Sequence, residues 1–459
     1  MMVLLGLGVI PAMQAQTFDK LWKEVKQAEK KSLPKTVIKL TDEIYQKGEK
    51  ERNSAQMLKA YMWRMKTQDI LTPDSFYVGL RDLEQWAKQT EQPMDRAILH
   101  SLIAEFYANY AADNQWQLRQ RTEIVGETPS ADIREWTANM FVEKVRTNVK
   151  EALADSLLLL KTSSLNYIPF VELGETSEYY HHDMYHLLAS RAIRALNQIE
   201  RLERGSFNGI TASPVKQDIS NIYERMTDAY ETAGLKEGYV LTMLQYLEWK
   251  RGNDNKLQPV QLKKGLGEWT ADTYNAALDE LKRQFKSEPI CAEVYLAQVR
   301  YAVEKMQQVN ALQLCDEAIR LYPGYRRINA LKNLREEILA PFLNVSAVSQ
   351  AFPNEEIKLN VGHKNLDGFT VRLYQAKKLV KEQHYSVLRP KDYRAKDTVF
   401  TFKAPDLGTY VMRIIPDIRA KRDSESKFNV TRFKVLTCRL PENQYEVVTL
   451  DGQTGHPIP

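Results

Sequence analysis

The segment Glu356-Ile-Lys-Leu-Asn-Val361 decides the fold of the C-terminal part of this chain. Apolar side chains stand at every second position, with polar side chains between them. Because successive side chains of an extended strand point to opposite faces, this alternation predicts a strand with one buried face. The segment Phe369-Thr-Val-Arg-Leu373 repeats the pattern. Further apolar positions of the same kind are Phe400, Phe402, Tyr410, Met412, Ile414, Phe428, Val430, Phe433 and Val435.

Turn sequences separate these predicted strands. Asn365-Leu-Asp-Gly368 and Pro405-Asp-Leu-Gly408 combine residue types that favour tight turns. We therefore predict an antiparallel, immunoglobulin-like β-sandwich of about seven strands over residues 342–440. A further strand over Tyr445–Leu450 runs into Asp451-Gly-Gln-Thr-Gly455, and we expect it to begin a second domain at 441–459.

Residues 17–340 instead follow a helical period. Phe18, Leu21, Trp22, Val25 and Ala28 recur at spacings of three and four, which places them on one face of a helix. Short breaks then separate successive helical segments, as expected for stacked antiparallel pairs. These breaks are Ser32–Pro34, Leu71–Pro73, Thr90–Pro93 and Gly126–Pro129, with internal seams expected at 205–220 and 251–255.

A repeat signal lies near the end of the helical region. Tyr295, Ala311, Ala318 and Pro323 fall where a tetratricopeptide unit has its aromatic residue, its two close-packing alanines and its terminating proline. The second helix of this unit fits the repeat well and the first fits loosely. We therefore predict an α+β multidomain protein, with a tetratricopeptide-like helical array at 17–340 followed by the β-sandwich.

The composition is that of a globular protein. The 459 residues are 43% hydrophobic and 27% charged, and the formal net charge is +5. The basic residues are dispersed along the predicted strands, so we expect no nucleic-acid partner. The three cysteines lack metal-ligand spacing, and Cys291 and Cys315 fall on apolar helix faces, where we expect them to be buried.

Residues 1–15 differ from the rest of the chain. Val3-Leu-Leu-Gly-Leu-Gly-Val-Ile10 is an apolar run followed by the small residues Ala12 and Ala15. This pattern predicts a signal peptide cleaved after Ala15 and therefore export, although the usual positive charge before the run is missing. A buried N-terminal helix is the alternative. No other segment reaches the roughly 18 apolar residues that a membrane helix needs, so we expect no membrane span.

The strongest chemical candidate is a histidine pair. Glu178, His182 and His186 would share one face of a helix at a spacing that suits a metal ion. His182-Asp-Met-Tyr-His186 also resembles the zinc-protease motif H-E-x-x-H, but the shorter Asp183 replaces its catalytic glutamate. The apolar stripe that follows explains the helix by packing alone. We therefore expect no metal site, and a zinc-dependent hydrolase remains the least favoured alternative.

The tryptophans offer a second candidate. They could line a peptide-binding groove of a helical array, but their apolar-stripe positions favour core packing. The sequence has no Gly-rich phosphate loop and no G-x-S-x-G motif, so we expect neither enzymatic activity nor a cofactor. The tryptophans considered are Trp22, Trp63, Trp86, Trp116, Trp136 and Trp249.

A family resemblance rests on three motifs near the end of the chain. Leu407-Gly-Thr-Tyr410, Phe428-Asn-Val-Thr431 and Asp451-Gly-Gln-Thr-Gly-His-Pro-Ile458 follow one another through the strand-rich region. They resemble the junction between two successive macroglobulin-type sandwiches in bacterial alpha-2-macroglobulin-family proteins. On this resemblance, 342–440 is a macroglobulin-like domain and 441–459 is the truncated start of a second. The helical leader, which opens Thr17-Phe-Asp-Lys-Leu-Trp22, is similar to the N-terminal extension of Bacteroidetes members.

The resemblance implies a protease-trapping, endopeptidase-inhibitor role in the periplasm or cell envelope. Family members present a bait region whose cleavage collapses the sandwich rings around the protease, and some capture it through a Cys-Gly-Glu-Gln thioester. The bait region and thioester domain would follow residue 459, and we assign no thioester or inhibitory residue here. Expected partners are proteases, through the missing parts of the architecture, and an envelope protein on the helical region. The alternative is a stand-alone tetratricopeptide-like adaptor in the envelope.

Overall fold

The structure is a computed structural model that describes residues 10–72, 75–122, 130–174, 182–203, 213–253, 273–418, 424–452 and 454–458. Within these residues the protein is α+β: fifteen α-helices come first and ten β-strands follow. The change from helix to strand falls between Leu339 and Phe342, which confirms the predicted change near Pro341. The chain packs as two compact units, 1–253 and 254–459.

The first unit contains only helices among its described elements. The α-helices are α1 (Ile10–Lys30), α2 (Pro34–Lys50), α3 (Ser54–Leu71), α4 (Ser75–Gln89), α5 (Pro93–Asp113), α6 (Gln115–Gln120), α7 (Ala138–Ala152), α8 (Ser156–Lys161), α9 (Met184–Glu200), α10 (Pro214–Thr232) and α11 (Lys236–Asn253). Two short 3-10 helices lie at Ile133–Glu135 and Ser164–Tyr167.

Local sequence explains where several of these helices begin. Pro34, Pro93 and Pro214 each occupy the first turn of a helix, where the missing N–H group costs nothing. Asn53 caps α3 by accepting a hydrogen bond from the Gln56 N–H. The predicted breaks before Pro34 and Pro93 are therefore confirmed, whereas residues 73 and 126–129 lie outside the described residues.

The predicted apolar stripe of the first helix is buried. Phe18, Trp22, Val25 and Ala28 of α1 form one core cluster with side chains of α2 and α3. Two boundaries differ from the sequence expectation. Helix α1 already begins at Ile10 and runs through the expected cleavage point, and α11 extends to Asn253, so residues 251–253 of the predicted seam are helical.

The helices of the second unit are α12 (Thr273–Gln284), α13 (Cys291–Glu304), α14 (Gln308–Leu321) and α15 (Ile328–Leu339). Ala311 and Ala318, the alanines of the predicted repeat, are completely buried. Helix α14 ends two residues before Pro323, as the sequence predicts. Buried Glu293 ties α13 to the chain before α15, because its carboxylate accepts hydrogen bonds from Tyr325 Oη (3.0 Å) and Arg327 Nη1 (2.9 Å).

Ten strands follow these helices. They are β1 (Phe342–Ser346), β2 (Gln350–Ala351), β3 (Glu356–Lys364), β4 (Gly368–Gln375), β5 (Lys378–Ser386), β6 (Lys396–Lys403), β7 (Gly408–Pro416), β8 (Ser424–Val430), β9 (Phe433–Arg439) and β10 (Tyr445–Asp451). They form a three-stranded sheet ordered β1-β3-β6, a five-stranded sheet ordered β2-β8-β7-β4-β5, and a β9–β10 hairpin. All pairs are antiparallel except β2–β8, so the five-stranded sheet is mixed rather than purely antiparallel as predicted.

The two larger sheets share one apolar core. Ile357, Leu359 and Val361 of β3 face this core, and the polar residues between them face outward, which confirms the alternation. The other members of the pattern that lie in the core are Phe369, Val371, Leu373, Phe402, Tyr410, Met412, Ile414, Phe428 and Val430.

The sequence expectation is wrong at β9. Phe433 and Val435 continue the apolar alternation, but their side chains are exposed, because β9 is not part of the five-stranded sheet and, among the described strands, pairs with β10 alone. Alternation predicts a strand, whereas burial of one face also requires a second layer of structure against it.

Side chains of the β3–β4 turn join the last helix to the sheets. Asn365 donates hydrogen bonds from Nδ2 to the carbonyl oxygens of Ile338 (2.9 Å) and Ala340 (3.4 Å). Its neighbour Lys364 donates from Nζ to the carbonyl oxygen of Glu337 (3.0 Å). These bonds satisfy carbonyl groups at the end of α15 that have no partner within the helix.

Candidate functional site

The histidine candidate does not form the face that its spacing suggests. Helix α9 begins only at Met184, so His182 precedes the helix while His186 lies in its first turn. Asp183 caps the helix, because its Oδ1 accepts a hydrogen bond from the His186 N–H at 2.7 Å. The carbonyl oxygen of His182 accepts a hydrogen bond from the Ser164 N–H at 2.7 Å.

The side chains of this segment bond to a neighbouring helix. Tyr230 of α10 donates from Oη to Asp183 Oδ2 at 3.2 Å, and the same hydroxyl lies 3.0 Å from His186 Nδ1. Burial, followed by the nearby Asp183 carboxylate, raises the pKa of Tyr230 well above its usual range. The network therefore holds α9 against α10 with a tyrosine that stays protonated.

Only two of the three candidate metal ligands, His182 and His186, lie within the described residues; Glu178 lies outside them. Elsewhere, the described parts of the chain contain no group of three or more His, Cys, Asp or Glu side chains placed to hold a metal ion.

Most of the tryptophans pack as expected. Trp22 and Trp136 are buried, and Trp63, Trp86 and Trp249 are partly buried against other aromatic rings. Trp116 is an exception, because it is 74% exposed. Cys291 and Cys315 are buried as predicted, whereas Cys438 is exposed.

A cavity of about 340 Å³ lies in the first unit, and we call it the α3–α5–α9 cavity. Three helices and the segment 170–172 form its walls. The apolar lining residues are Met62, Trp63, Ile98, Leu102, Phe170, Val171, Met184, Leu187 and Leu188, and the polar ones are Lys59, Ser101, Glu172 and Arg191. Its volume falls within the range of small-molecule sites in proteins.

Two residues of this lining each contain a polar atom that is inaccessible to water and has no hydrogen-bond partner among the described residues. These atoms are the indole Nε1 of Trp63 and the hydroxyl Oγ of Ser101. Ser101 is 5% exposed. Buried polar groups in folded proteins almost always have partners, so each exception requires an explanation.

Two cations also line the cavity. Lys59 Nζ lies 5.1 Å from the ring centre of Trp22 and 5.5 Å from that of Trp63, and it forms an ion pair with Glu172 at 3.0 Å. Arg191 forms an ion pair with Glu105. The cavity thus combines an apolar wall with two cationic side chains, each of which is paired with a glutamate.

The sequence did not reveal this cavity, because its lining comes from segments more than a hundred residues apart. Lys59 and Trp63 are one turn apart on α3, which brings them to the same face of that helix. That spacing alone is compatible with a solvated lysine beside a packed aromatic ring. Only the approach of α5 and α9 turns it into a cavity wall.

Comparisons with known proteins provide no family. No protein-family model and no curated protein matches the chain. Among solved structures, 20% of the chain aligns with 94% of the CARDB domain of a Pyrococcus furiosus protein in complex with di-metal ions, at 16% identity and a TM-score of 0.15. A likeness this weak carries no argument about fold or function.

Across the described residues, no helix combines the length and apolar character required to cross a bilayer.

Proposed function

We propose that this chain is the non-enzymatic N-terminal scaffold of an exported, alpha-2-macroglobulin-like protein that traps proteases in the bacterial envelope. The observation that carries the proposal is the single apolar core shared by the three-stranded and five-stranded sheets. Two sheets with a common core are what a macroglobulin-type β-sandwich requires. In this proposal the sandwich contributes to the ring that closes around a protease.

The third family motif, Asp451–Ile458, supports the proposal through its local geometry. Asp451 Oδ1 accepts hydrogen bonds from the Thr454 N–H (2.8 Å) and Thr454 Oγ1 (2.9 Å). Gly455 adopts a positive φ of 74°, and the Ile458 N–H then bonds back to the Thr449 carbonyl oxygen at 2.8 Å. The residue types of Asp451–Ile458 are thus those that a tight reversal after β10 requires.

The proposal assigns separate tasks to the two parts of the chain. The helical part would dock the molecule to an envelope protein, and the sandwich would join further sandwiches of the ring. Cleavage and capture of the protease would belong to the bait region and thioester of the family architecture. We assign no residue of this chain to either step.

Immunopurification of the endogenous product with an antibody against this chain tests the proposal. We expect a protein much larger than 459 residues that retains active subtilisin on a native gel. The trapped subtilisin should cleave a small chromogenic peptide but not casein. Inactivated subtilisin is the control and should not be retained, because trapping requires cleavage. A 459-residue product that neither retains nor shields active subtilisin would refute the proposal.

A tetratricopeptide-like adaptor is the second candidate. The α13–α14 pair favours it, because the predicted alanines Ala311 and Ala318 are buried and α14 ends just before Pro323. This candidate predicts that the purified chain recovers one stable envelope protein when no protease is present. Loss of that partner after Ala311→Leu, but not after Asn310→Leu on the exposed face, would favour the adaptor.

A further inference from the structure

We propose that a groove along α9 is a docking surface for an acidic peptide segment of a partner protein. The inference depends on two arginines of the groove that have no carboxylate partner, on the polar groups beside them and on an exposed tryptophan. It adds a partner chemistry to the docking task of the helical part, and in this sense it rests on the proposed function. Protease trapping does not enter it.

The groove lies in the first unit, where α9 passes the end of α5 and the start of α6, and we call it the Arg194–Arg201 groove. Its volume is about 610 Å³. Among the described residues, no aspartate or glutamate lines it, and the exposed Asp113 at the end of α5 is not part of the lining. The polar and charged residues of the lining are Gln115, Ser190, Arg194, Asn197, Gln198 and Arg201.

The two arginines of the groove select a negatively charged partner. Both are exposed, and neither forms an ion pair within the part of the chain that the structure describes. Arg191, one turn earlier on α9, is paired with Glu105. Glu200 precedes Arg201 in the sequence, but it pairs with Lys216 at 3.2 Å. The uncompensated positive charge of this helix therefore lies in the groove, where a carboxylate can accept two parallel hydrogen bonds from a guanidinium group.

The spacing and the polar groups favour a peptide. Arg194 and Arg201 are seven positions apart, which is about 10 Å along a helix axis. Two acidic residues three positions apart in an extended peptide span about the same distance. Gln115 and Ser190 can both donate and accept hydrogen bonds, as a peptide backbone does, whereas a phosphate backbone only accepts. An acidic peptide therefore matches this lining better than a nucleic acid does.

An exposed tryptophan adjoins the groove. Trp116 directly follows Gln115 in the sequence and is 74% exposed. One turn later on α6, Arg119 donates from Nη2 to the carbonyl oxygen of Arg201 at 2.9 Å, which holds α6 beside the end of α9. Tryptophan and arginine are the residue types that most often dominate protein interfaces. We therefore expect an apolar side chain of the partner to cover the Trp116 ring.

Fluorescence polarisation of the full chain with a labelled peptide tests the proposal. The probe peptide has two pairs of glutamates with one glycine between the pairs, followed by a phenylalanine. We expect saturable binding of one peptide per chain, which added salt should weaken because exposed charges are screened. Glutamine in place of every glutamate should weaken binding by about fivefold or more, and serine in place of the phenylalanine by about threefold.

Variants of the two arginines locate the binding. Arg194→Gln and Arg201→Gln should each weaken peptide binding by about two- to fivefold, and together by roughly tenfold. Arg300→Gln is the matched control, because Arg300 is an exposed arginine of α13 without an ion pair among the described residues. It should bind the peptide like the original chain.

Two further variants separate loss of the site from damage to the fold. Arg194→Glu combined with Arg201→Glu should lose the acidic peptide and should instead bind the peptide that has lysine in place of every glutamate. Trp116→Ala should weaken binding of the acidic peptide by about threefold. Its melting temperature should stay the same, because most of the ring is already in water.

Four results would overturn the proposal. They are the absence of saturable binding, equal binding of the glutamine peptide, unchanged affinity when both arginines are glutamine, and tighter binding of a ten-nucleotide oligothymidylate than of the acidic peptide. The last result would assign the groove to single-stranded nucleic acid. None of them bears on protease trapping, which is measured with subtilisin on the endogenous product, so the two proposals can fail separately.

Discussion

Asp183 acts in two directions with one carboxylate. Its Oδ1 caps α9 through the His186 N–H, and its Oδ2 accepts the hydrogen bond of Tyr230 from α10. A residue that stands in the position of a catalytic glutamate in a zinc motif therefore fixes the start of one helix and its contact with the next. Histidine and aspartate side chains at this spacing can bind a metal ion or hold two helices together. Only their geometry distinguishes these two roles.

The first prediction concerns this carboxylate. Asp183→Ala removes a helix cap and also the carboxylate that accepts the hydrogen bond of the buried Tyr230 hydroxyl, so the free energy of unfolding should fall by roughly 2–3 kcal/mol. Asp155→Ala is the control, because Asp155 caps α8 through the Leu158 N–H and has no second buried partner of this kind. It should cost about 1 kcal/mol in urea denaturation. Equal losses would contradict the double role.

The second prediction concerns His363 of β3, which is 2% exposed. Burial, followed by the neighbouring Lys396, lowers the pKa of His363. The unfolded chain therefore binds a proton near the ordinary value of about 6.5 while the folded chain stays neutral. Stability should be complete above that pH and should fall as the pH drops below it.

The test of this prediction compares two histidines. His363→Gln can keep a hydrogen bond to Thr398 Oγ1, now 3.1 Å from His363 Nε2, but cannot be protonated. It should flatten the decline in unfolding free energy between pH 7 and pH 5. His456→Gln, in the exposed turn after β10, should leave the decline in place. An unchanged slope in His363→Gln would exclude His363 as its source.

At the scale of single residues, the sequence predicts properties that depend on residues nearby in the chain. The burial of Cys291 and Cys315 follows from the apolar period of their helices, and the structure confirms it. The bond between His186 and Tyr230 joins positions 44 residues apart on different helices. No local pattern encodes that meeting.

The sequence predicts the positions of strands and helices more successfully than the contacts that each element makes with the others. The period of two in Glu356–Lys364 and the turn residues after it are local properties, and the structure places β3, the turn and β4 where they indicate. Strand β9 has a similar period, but among the described residues no second sheet packs against it. Its apolar side chains remain exposed because burial is decided by other elements.

The third prediction follows from this difference. Val371 of β4 is completely buried, whereas Val447 of β10 is 59% exposed. Val371→Thr places a hydroxyl in the shared core and should lower the free energy of unfolding by about 1–3 kcal/mol. Val447→Thr makes the same chemical change at an exposed position and should stay within about 0.5 kcal/mol of the original. Denaturant midpoints at equal slope would measure both. A large loss for Val447→Thr would mean that a covering layer exists.

The whole molecule divides at a different place from its secondary structure. The sequence changes period near residue 341, but the compact units meet between Asn253 and Asp254. Packing explains the difference, because α15 is hydrogen-bonded to the β3–β4 turn and Arg394 donates to the Met306 carbonyl oxygen at the end of α13. The hydrophobic period of a segment indicates whether it forms a helix or a strand, whereas a compact unit is defined by which helices and strands contact one another. The limits of the sequence-based domains remain predictions.

The fourth prediction concerns these units. Because each has its own buried cluster, fragments 1–253 and 254–459 should each unfold cooperatively by circular dichroism. Val371→Thr should lower the midpoint of the second fragment by the same amount as in the full chain. A second fragment without a cooperative transition would show that its core needs the first 253 residues.

Asn365 adopts a positive φ of 55°, a conformation that asparagine tolerates better than most residues. Its amide reaches back 27 positions to the carbonyl oxygen of Ile338. As the chain leaves the ribosome, the last helix therefore emerges before the side chain that completes its end. The hydrogen bond at the end of α15 can form only after β3 and the β3–β4 turn have been synthesised. Formation of this turn is therefore the step that joins the last helix to the sheet.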